Sequence, residues 1–283
     1  MTFLARMAEA SRERVRSARA RESEAALERR AFAQPPAPAL ELSTFDVIAE
    51  LKLRSPAAGT LAASDFDPHA QLTSYVRGGA AAVSVLTEPT EFKGELAHLA
   101  AAADELARVR RPAMRKDFLV DAYQVLEARA AGAGGVLVIL AMLDDATVNE
   151  LVDCARRCGM FVLLEAFDRA DLERLASYDR PQAVGPQVLA GVNCRDLRDL
   201  QVRFERFAEL APFLPRHLPA VAESGIGSSA DIEAVAAANY RLALIGSALM
   251  RSSEPEAELG VWLAAGRAAA ARRHAQWLSS PLA

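Results

Sequence analysis

The chain has little with which to build disulfides, hold nucleic acid or cross a membrane. Its 283 residues include only three cysteines, Cys154, Cys158 and Cys194. They are too few and too irregularly spaced for a disulfide framework, which points to a reducing compartment, the cytoplasm. Charge of one sign is not in excess: Lys+Arg number 33 against 37 Asp+Glu, for a formal net charge of -4. No global basic field exists to draw in nucleic acid or a lipid surface, so neither is expected as a partner. No apolar run is long enough to span a bilayer, and the first residues lack an apolar core followed by a small-residue cleavage site. Histidine is scarce too. His69, His98, His217 and His274 fall in expected helices or their flanking loops, so imidazole acid-base chemistry is not expected. Cys154 and Cys158 share a helix face but have no third or fourth ligand close by, so no metal is expected, nor any cofactor.

What is present is a rhythm. Residues 1–33 are charged and Ala-rich, with Phe3, Leu4 and Met7 at helical spacing, until the run QPPAPA at 34–39 breaks the pattern. The expected organisation is a helical extension with a Pro-rich linker over 1–44, a catalytic domain over 45–275 and a tail over 276–283. Eight short apolar runs follow: Val47–Lys52, Ala82–Leu86, Ala113–Lys116, Gly135–Ala141, Phe161–Glu165, Leu189–Asn193, Ala220–Glu223 and Leu242–Ile245. Between them lie segments of helical periodicity such as Glu95–Val109, Ala122–Ala131, Ala146–Cys158, Ala170–Tyr178 and Ser229–Ala238. Near-continuous apolar strands alternating with helices imply an α/β fold with a parallel sheet, and eight units imply a closed (βα)8 TIM barrel. An open doubly wound sheet is the alternative, but ELKLRSPAAG after the first run is not a dinucleotide fingerprint.

Polarity enters where these runs end. Glu50 and Lys52, two apart on one strand, share a face that should point inward, where unpaired charge is costly. Lys116 ends the third run, Glu165 the fifth, Asn193 the sixth and Glu223 the seventh, with Ser55, Arg195 and Ser224 just beyond their strands. A single such charge is more often structural than catalytic. Several converging on the carboxyl rim of one barrel form a mixed cluster of the kind that separates acid from base. Gly225 and the pair Gly246 and Ser247, after the last two runs, leave backbone N–H groups open to a phosphate. Cys194 has the opposite strand parity to Asn193 and reads as packing.

These motifs resemble the indole-3-glycerol-phosphate synthase family over about 45–251. The matching pieces are AELKLRSPAAG, FDPHAQLTSYVRGGAAAVSVLTEPTEFKGELAHL, MRKDFLVDAYQVLEARAAGA, LLEAFDRADLERL, GVNCRDLRDL, AESGIGSSADI and IGSALMR. The resemblance implies a (βα)8 barrel with an amino-terminal helix over its mouth, and a phosphorylated substrate, 1-(2-carboxyphenylamino)-1-deoxyribulose 5-phosphate. It gives Lys116 the role of general acid, with Lys52 a second candidate, and Glu165 that of base, with Glu50 beside the lysines. Asn193, Arg195, Glu223 and Ser224 match groups that hold the substrate's polar atoms. Ser55, Gly225, Gly246 and Ser247 match its phosphate cradle, and Phe92, Phe118 and Leu137 match the wall around its aromatic ring. Three positions depart from the family: Phe167 where a histidine is frequent, Gly134 where an aspartate is frequent, and SPAAG for a more polar Ser-Pro-Ser loop.

Two other readings stay open: a different phosphosugar isomerase or aldolase on the same barrel, and a non-catalytic paralogue that binds a phosphorylated ligand. The first would carry a Schiff-base lysine on the sixth strand or a lone Glu/His pair, and the second has no need for two lysines with two carboxylates. The expected partner is the substrate alone, on a monomer or weak homodimer.

Overall fold

A computed structural model describes residues 2–56, 59–61, 66–176, 178, 187–195 and 201–279, the side chains of 276–279 excepted. The eight apolar runs form parallel strands: β1 (Asp46–Leu51), β2 (Ala82–Leu86), β3 (Ala113–Lys116), β4 (Gly135–Ile139), β5 (Phe161–Ala166), β6 (Val188–Asn193), β7 (Ala220–Glu223) and β8 (Leu242–Ile245). Each pairs with the next, and β8 returns to β1, so the sheet closes into a TIM barrel with helices between its strands. The fourth run ends earlier than its apolar residues suggest, because Leu140–Met142 turns into a 3₁₀ helix.

Alternation along each strand separates two cores. Inward-facing Ile48, Met114, Leu137, Leu163, Leu189 and Leu244 belong to the cluster that fills the barrel. Val47, Val83, Val136, Val162, Val192 and Ala243 face the helices and join the outer cluster. Strands apolar on both faces are what a sheet covered on its outside and filled on its inside requires. Glycines are spent where a neighbour needs the room. A Cβ on Gly135 would lie 2.3 Å from the Phe161 ring, so Phe161 plugs the interior at the start of β4.

The amino-terminal extension is not one helix. α1 (Phe3–Arg21) ends at Glu22, and α2 (Glu24–Phe32) starts afresh with the Ser23 hydroxyl accepting from the Ala26 N–H. The linker is fastened under the barrel. Gln34 donates to the Ala130 carbonyl at 2.9 Å, and Arg129 donates to the carbonyls of Gln34 and Pro35. Gly134 is where that linker passes: a Cβ there would meet the Pro112 side chain at 2.8 Å and the Pro38 carbonyl at 3.2 Å, which accounts for glycine in place of an aspartate. The last helix, Pro255–Ser279, reaches into the segment read as a tail, whose residues 280–283 lie outside the described residues.

Candidate active site

The strand register decides which polar side chains meet. Glu50, Lys116, Glu165, Asn193 and Glu223 occupy inward positions at the carboxyl ends of β1, β3, β5, β6 and β7. They line a single cavity of about 450 Å³. Every residue singled out from the sequence lines it: Lys52, Ser55, Phe92, Phe118, Leu137, Arg195, Ser224, Gly225, Gly246 and Ser247 as well.

Glu50 and Lys52 pair as their spacing suggests, with Lys52 Nζ 2.7 Å from Glu50 Oε1. Gly246 makes this possible, since a Cβ there would lie 2.3 Å from the same Oε1. Lys116 Nζ stands 3.5 Å from Glu165 Oε2 and 3.7 Å from Glu223 Oε2. Burial works against its charge, but Glu165, Glu223 and Glu50 outweigh burial and hold the ammonium well above the ordinary lysine range. Burial, then Glu165, push the Glu223 carboxyl well above its usual range against the pull of Lys116.

The far side of Lys116 is anchored from outside the barrel. Asp117, fully buried, accepts from the Thr87 hydroxyl at 2.7 Å, from Arg115 at 3.0 Å and from Arg14 of α1 at 2.7 Å. Burial acts to raise its pKa, but Arg115 and Arg14 override it and hold the carboxyl below the usual aspartate value. Ser11 of α1 donates to the Phe118 carbonyl at 2.5 Å. The rim of the cavity at β3 is therefore tied to the amino-terminal helix.

Phe118 forms part of an aromatic wall. Its ring lies 5.8 Å edge-on from Phe3 and 6.2 Å from Phe92. Phe92 is placed by a short helix, Pro89–Phe92, whose first turn donates three N–H groups to the Glu88 carboxylate. Ser224 and Gly225 both take left-handed backbone, φ 72° and 71°. For serine that conformation costs about 1–2 kcal/mol, a strain that collects at functional sites. Cys194 is buried with its thiol donating to the Ser224 carbonyl at 3.3 Å, and burial pushes it up to about 12, so it is no nucleophile.

Phe3, Asp117 and Arg251 also line the cavity, and sequence reasoning did not place them in the site. Arg251 follows Ser247 by one helical turn, a signal that was there to use. Phe3 shows only a helical apolar spacing, which does not say what the face meets. Phe167, in place of a histidine, packs partly buried against the inner cluster, and its N–H donates to Asp171 at 3.0 Å. Part of the SPAAG loop and of GVNCRDLRDL falls outside the described residues.

A closed barrel with a rim-facing cavity and a buried titratable cluster defines the class: a (βα)8-barrel enzyme acting on a small polar molecule. Solved structures agree on the fold. A 3-hexulose-6-phosphate synthase from Salmonella typhimurium superposes with a TM-score of 0.59 at 13% identity, covering 81% of this chain and 100% of that one. A ligand-free tryptophan synthase chain from M. tuberculosis does so with a TM-score of 0.55 at 16% identity, covering 79% and 94%. At such identities the likeness speaks for fold alone. Sequence relatives go further. A Nocardioides sp. indole-3-glycerol phosphate synthase is 43% identical over 221 residues, 78% of this chain and 81% of the relative. One from Micrococcus luteus is 44% identical over 219 residues, 77% and 78%. The family model described as indole-3-glycerol phosphate synthase matches residues 4–260. The chain belongs to the indole-3-glycerol phosphate synthase family, lyases of tryptophan biosynthesis.

Proposed function

We propose that this protein closes the indole ring of 1-(2-carboxyphenylamino)-1-deoxyribulose 5-phosphate, giving indole-3-glycerol phosphate with loss of carbon dioxide and water. The observation that carries the reading is the meeting of Glu50, Lys52, Lys116 and Glu165 in one cavity large enough for such a molecule.

Lys116 acts as the first acid. When the ring carbon that bears the carboxylate attacks the ketone carbon, the ketone oxygen gains the electron pair and needs a proton. Carboxylates that keep Lys116 cationic also make it a reluctant acid. The developing alkoxide overcomes that reluctance, because it is a far stronger base than the lysine amine. Decarboxylation returns the bonding electrons to the ring. The new hydroxyl then leaves as water, with Lys52 as a second proton source and Glu165 accepting the proton lost as the double bond forms. Glu50 keeps Lys52 in place through their 2.7 Å contact.

Asn193, Arg195, Glu223 and Ser224 hold the substrate's polar groups. The phosphate lies against Ser55, Gly225, Gly246 and Ser247, and Arg251, which lines the same cavity, adds a cation. Phe3, Phe92, Phe118 and Leu137 enclose the aromatic ring and exclude water from the departing carboxylate, which favours its conversion to neutral carbon dioxide. In this reading residues 1–44 form the extension, 45–275 the catalytic barrel and 276–283 the tail, in a cytoplasmic protein that is a monomer or weak homodimer. Among the described residues no helix is long and apolar enough to cross a membrane.

The test is direct. Purified protein mixed with the carboxyphenylamino sugar phosphate should develop indole fluorescence and release one carbon dioxide per indole formed; absence of both would refute the assignment.

A further inference from the structure

Glu223 is surrounded by more carboxylate oxygen than there are donors to satisfy. It is 1% exposed. Neither of its oxygens has a hydrogen-bond partner among the described residues, and Glu165 Oε2 has none either. Lys116 lies between the two carboxyls, but at 3.5 and 3.7 Å it is beyond ordinary hydrogen-bond distance of both. The other lysine of the site is engaged with Glu50.

The backbone explains why the two carboxyls confront each other. Glu165 on β5 pairs in register with Gly191 on β6, and Asn193 on β6 pairs with Glu223 on β7. A Cβ on Gly191 would lie 2.3 Å from Glu223 Oε1. The Glu223 carboxyl thus fills the place of the side chain that Gly191, the register partner of Glu165, lacks. Glu165 and Glu223 stand on either side of β6, but Gly191 carries no side chain to part them and the one Lys116 ammonium lies within 3.7 Å of both; two carboxylates sharing a site in this way do not both ionise. The charged groups facing Glu223 are Glu165 on β5, Lys116 on β3 and Glu50 on β1.

We propose that Glu223 holds a proton in the resting enzyme and donates it as a hydrogen bond to Glu165, so that the cluster of Glu50, Lys52, Lys116, Glu165 and Glu223 contains two ammonium groups and two carboxylates rather than three. One bond then satisfies two buried orphan atoms and leaves the negative charge on Glu165, the group that must accept a proton. Glu223 is in this respect a positioning residue that acts through Glu165. Burial and the Glu165 charge, which raise its proton affinity, agree with the geometry. The proton is a property of the resting protein; its use in turnover rests on the synthase reading above.

Infrared difference spectra of wild type against Glu223→Gln at pH 7, without substrate, should contain a protonated-carboxyl carbonyl band that belongs to wild type alone. A wild type without that band overturns the proposal. Melting provides a second readout. A carboxyl neutral in the fold but ionised when unfolded takes up a proton on folding, so wild type loses stability relative to the non-titrating glutamine as pH rises above the unfolded glutamate value of about 4.3. The glutamine variant's advantage in Tm should widen from pH 4 to pH 8; a constant gap refutes the proton. In turnover, glutamine keeps a neutral donor, so kcat at pH 7 should fall less than the roughly 10²-fold at the low end of losses for acid-base groups. A larger fall in Glu223→Gln, equal to that in Glu223→Ala, would mean the charge was needed. If the band and the widening gap are found but no synthase activity, the protonation stands and the function falls.

Discussion

Gly246→Ala isolates one steric claim. Gly246 has φ -119°, which any residue adopts, so the substitution carries no backbone strain. Its effect must come from the new methyl group, which would lie 2.3 Å from Glu50 Oε1 and 3.0 Å from Glu50 Cδ. Glu50 is 3% exposed and cannot swing into water, and the same oxygen holds Lys52 at 2.7 Å. Relief requires a shift of the carboxylate or of the strand, an overpacking cost of about 1–3 kcal/mol. A domain of 150–250 residues loses roughly 2–4 °C of Tm per kcal/mol, and this chain is a little larger. Catalysis should suffer more, since misplacing a group by 1 Å costs on the order of 10²-fold. The decisive comparison is a cycle with Glu50→Ala, which removes the obstacle. Followed by thermal melting, the penalty of Gly246→Ala should largely vanish in the Glu50→Ala background, a coupling that adjacent residues show and distant ones do not. An undiminished penalty there, or a single variant that melts and turns over like wild type, would refute the argument. The cycle also separates two roles for this glycine, because a KM increase that Glu50→Ala does not relieve would mark it as a phosphate contact.

Lys116→Met should lower kcat by about 10²–10⁴-fold with little change in substrate affinity; near-normal single-turnover rates would remove Lys116 from the chemistry. Ser247→Asp should weaken binding of the substrate and of inorganic phosphate through like-charge repulsion, and unchanged affinity by calorimetry would move the phosphate elsewhere. Asp117→Asn should destabilise at neutral pH by about 3–5 kcal/mol, the cost of breaking a buried ion pair. Because Arg115 and Arg14 lower the Asp117 pKa in the fold, its contribution is complete above the unfolded value of about 3.9 and is lost as pH falls through the folded value. The gap in Tm between wild type and Asp117→Asn should therefore close in acid; a gap independent of pH would show that the aspartate is not acting as a charge.

The barrel was legible because buried parallel strands must be apolar on both faces, and the runs from Val47 to Ile245 say so without ambiguity. The meeting of the polar cluster was legible for the complementary reason: Glu50, Lys116, Glu165, Asn193 and Glu223 are polar residues ending apolar runs, and closure brings such ends to one rim. What was hidden depends on contacts between distant positions. Nothing local marks Phe3 as a neighbour of Phe118, or Arg14 as the partner of Asp117. Gly246 reads as a phosphate glycine and Gly191 as one more residue of an apolar run, and only three-dimensional placement reveals that each clears space for a carboxylate on an adjacent strand. The break at Glu22 was missed because charge and alanine continue across it, although Ser23 is a good helix-starting residue.

The first forty-odd residues touch both openings of the barrel. α1 reaches the mouth through Phe3, Ser11 and Arg14, while Leu40, farther along the same segment, joins the barrel's inner cluster after the linker has passed Gly134 beneath β4. One strap thus fastens lid and floor. Loosening either end slackens the other, so a nick in the proline-rich stretch should cost turnover as surely as a cut beside the lysines.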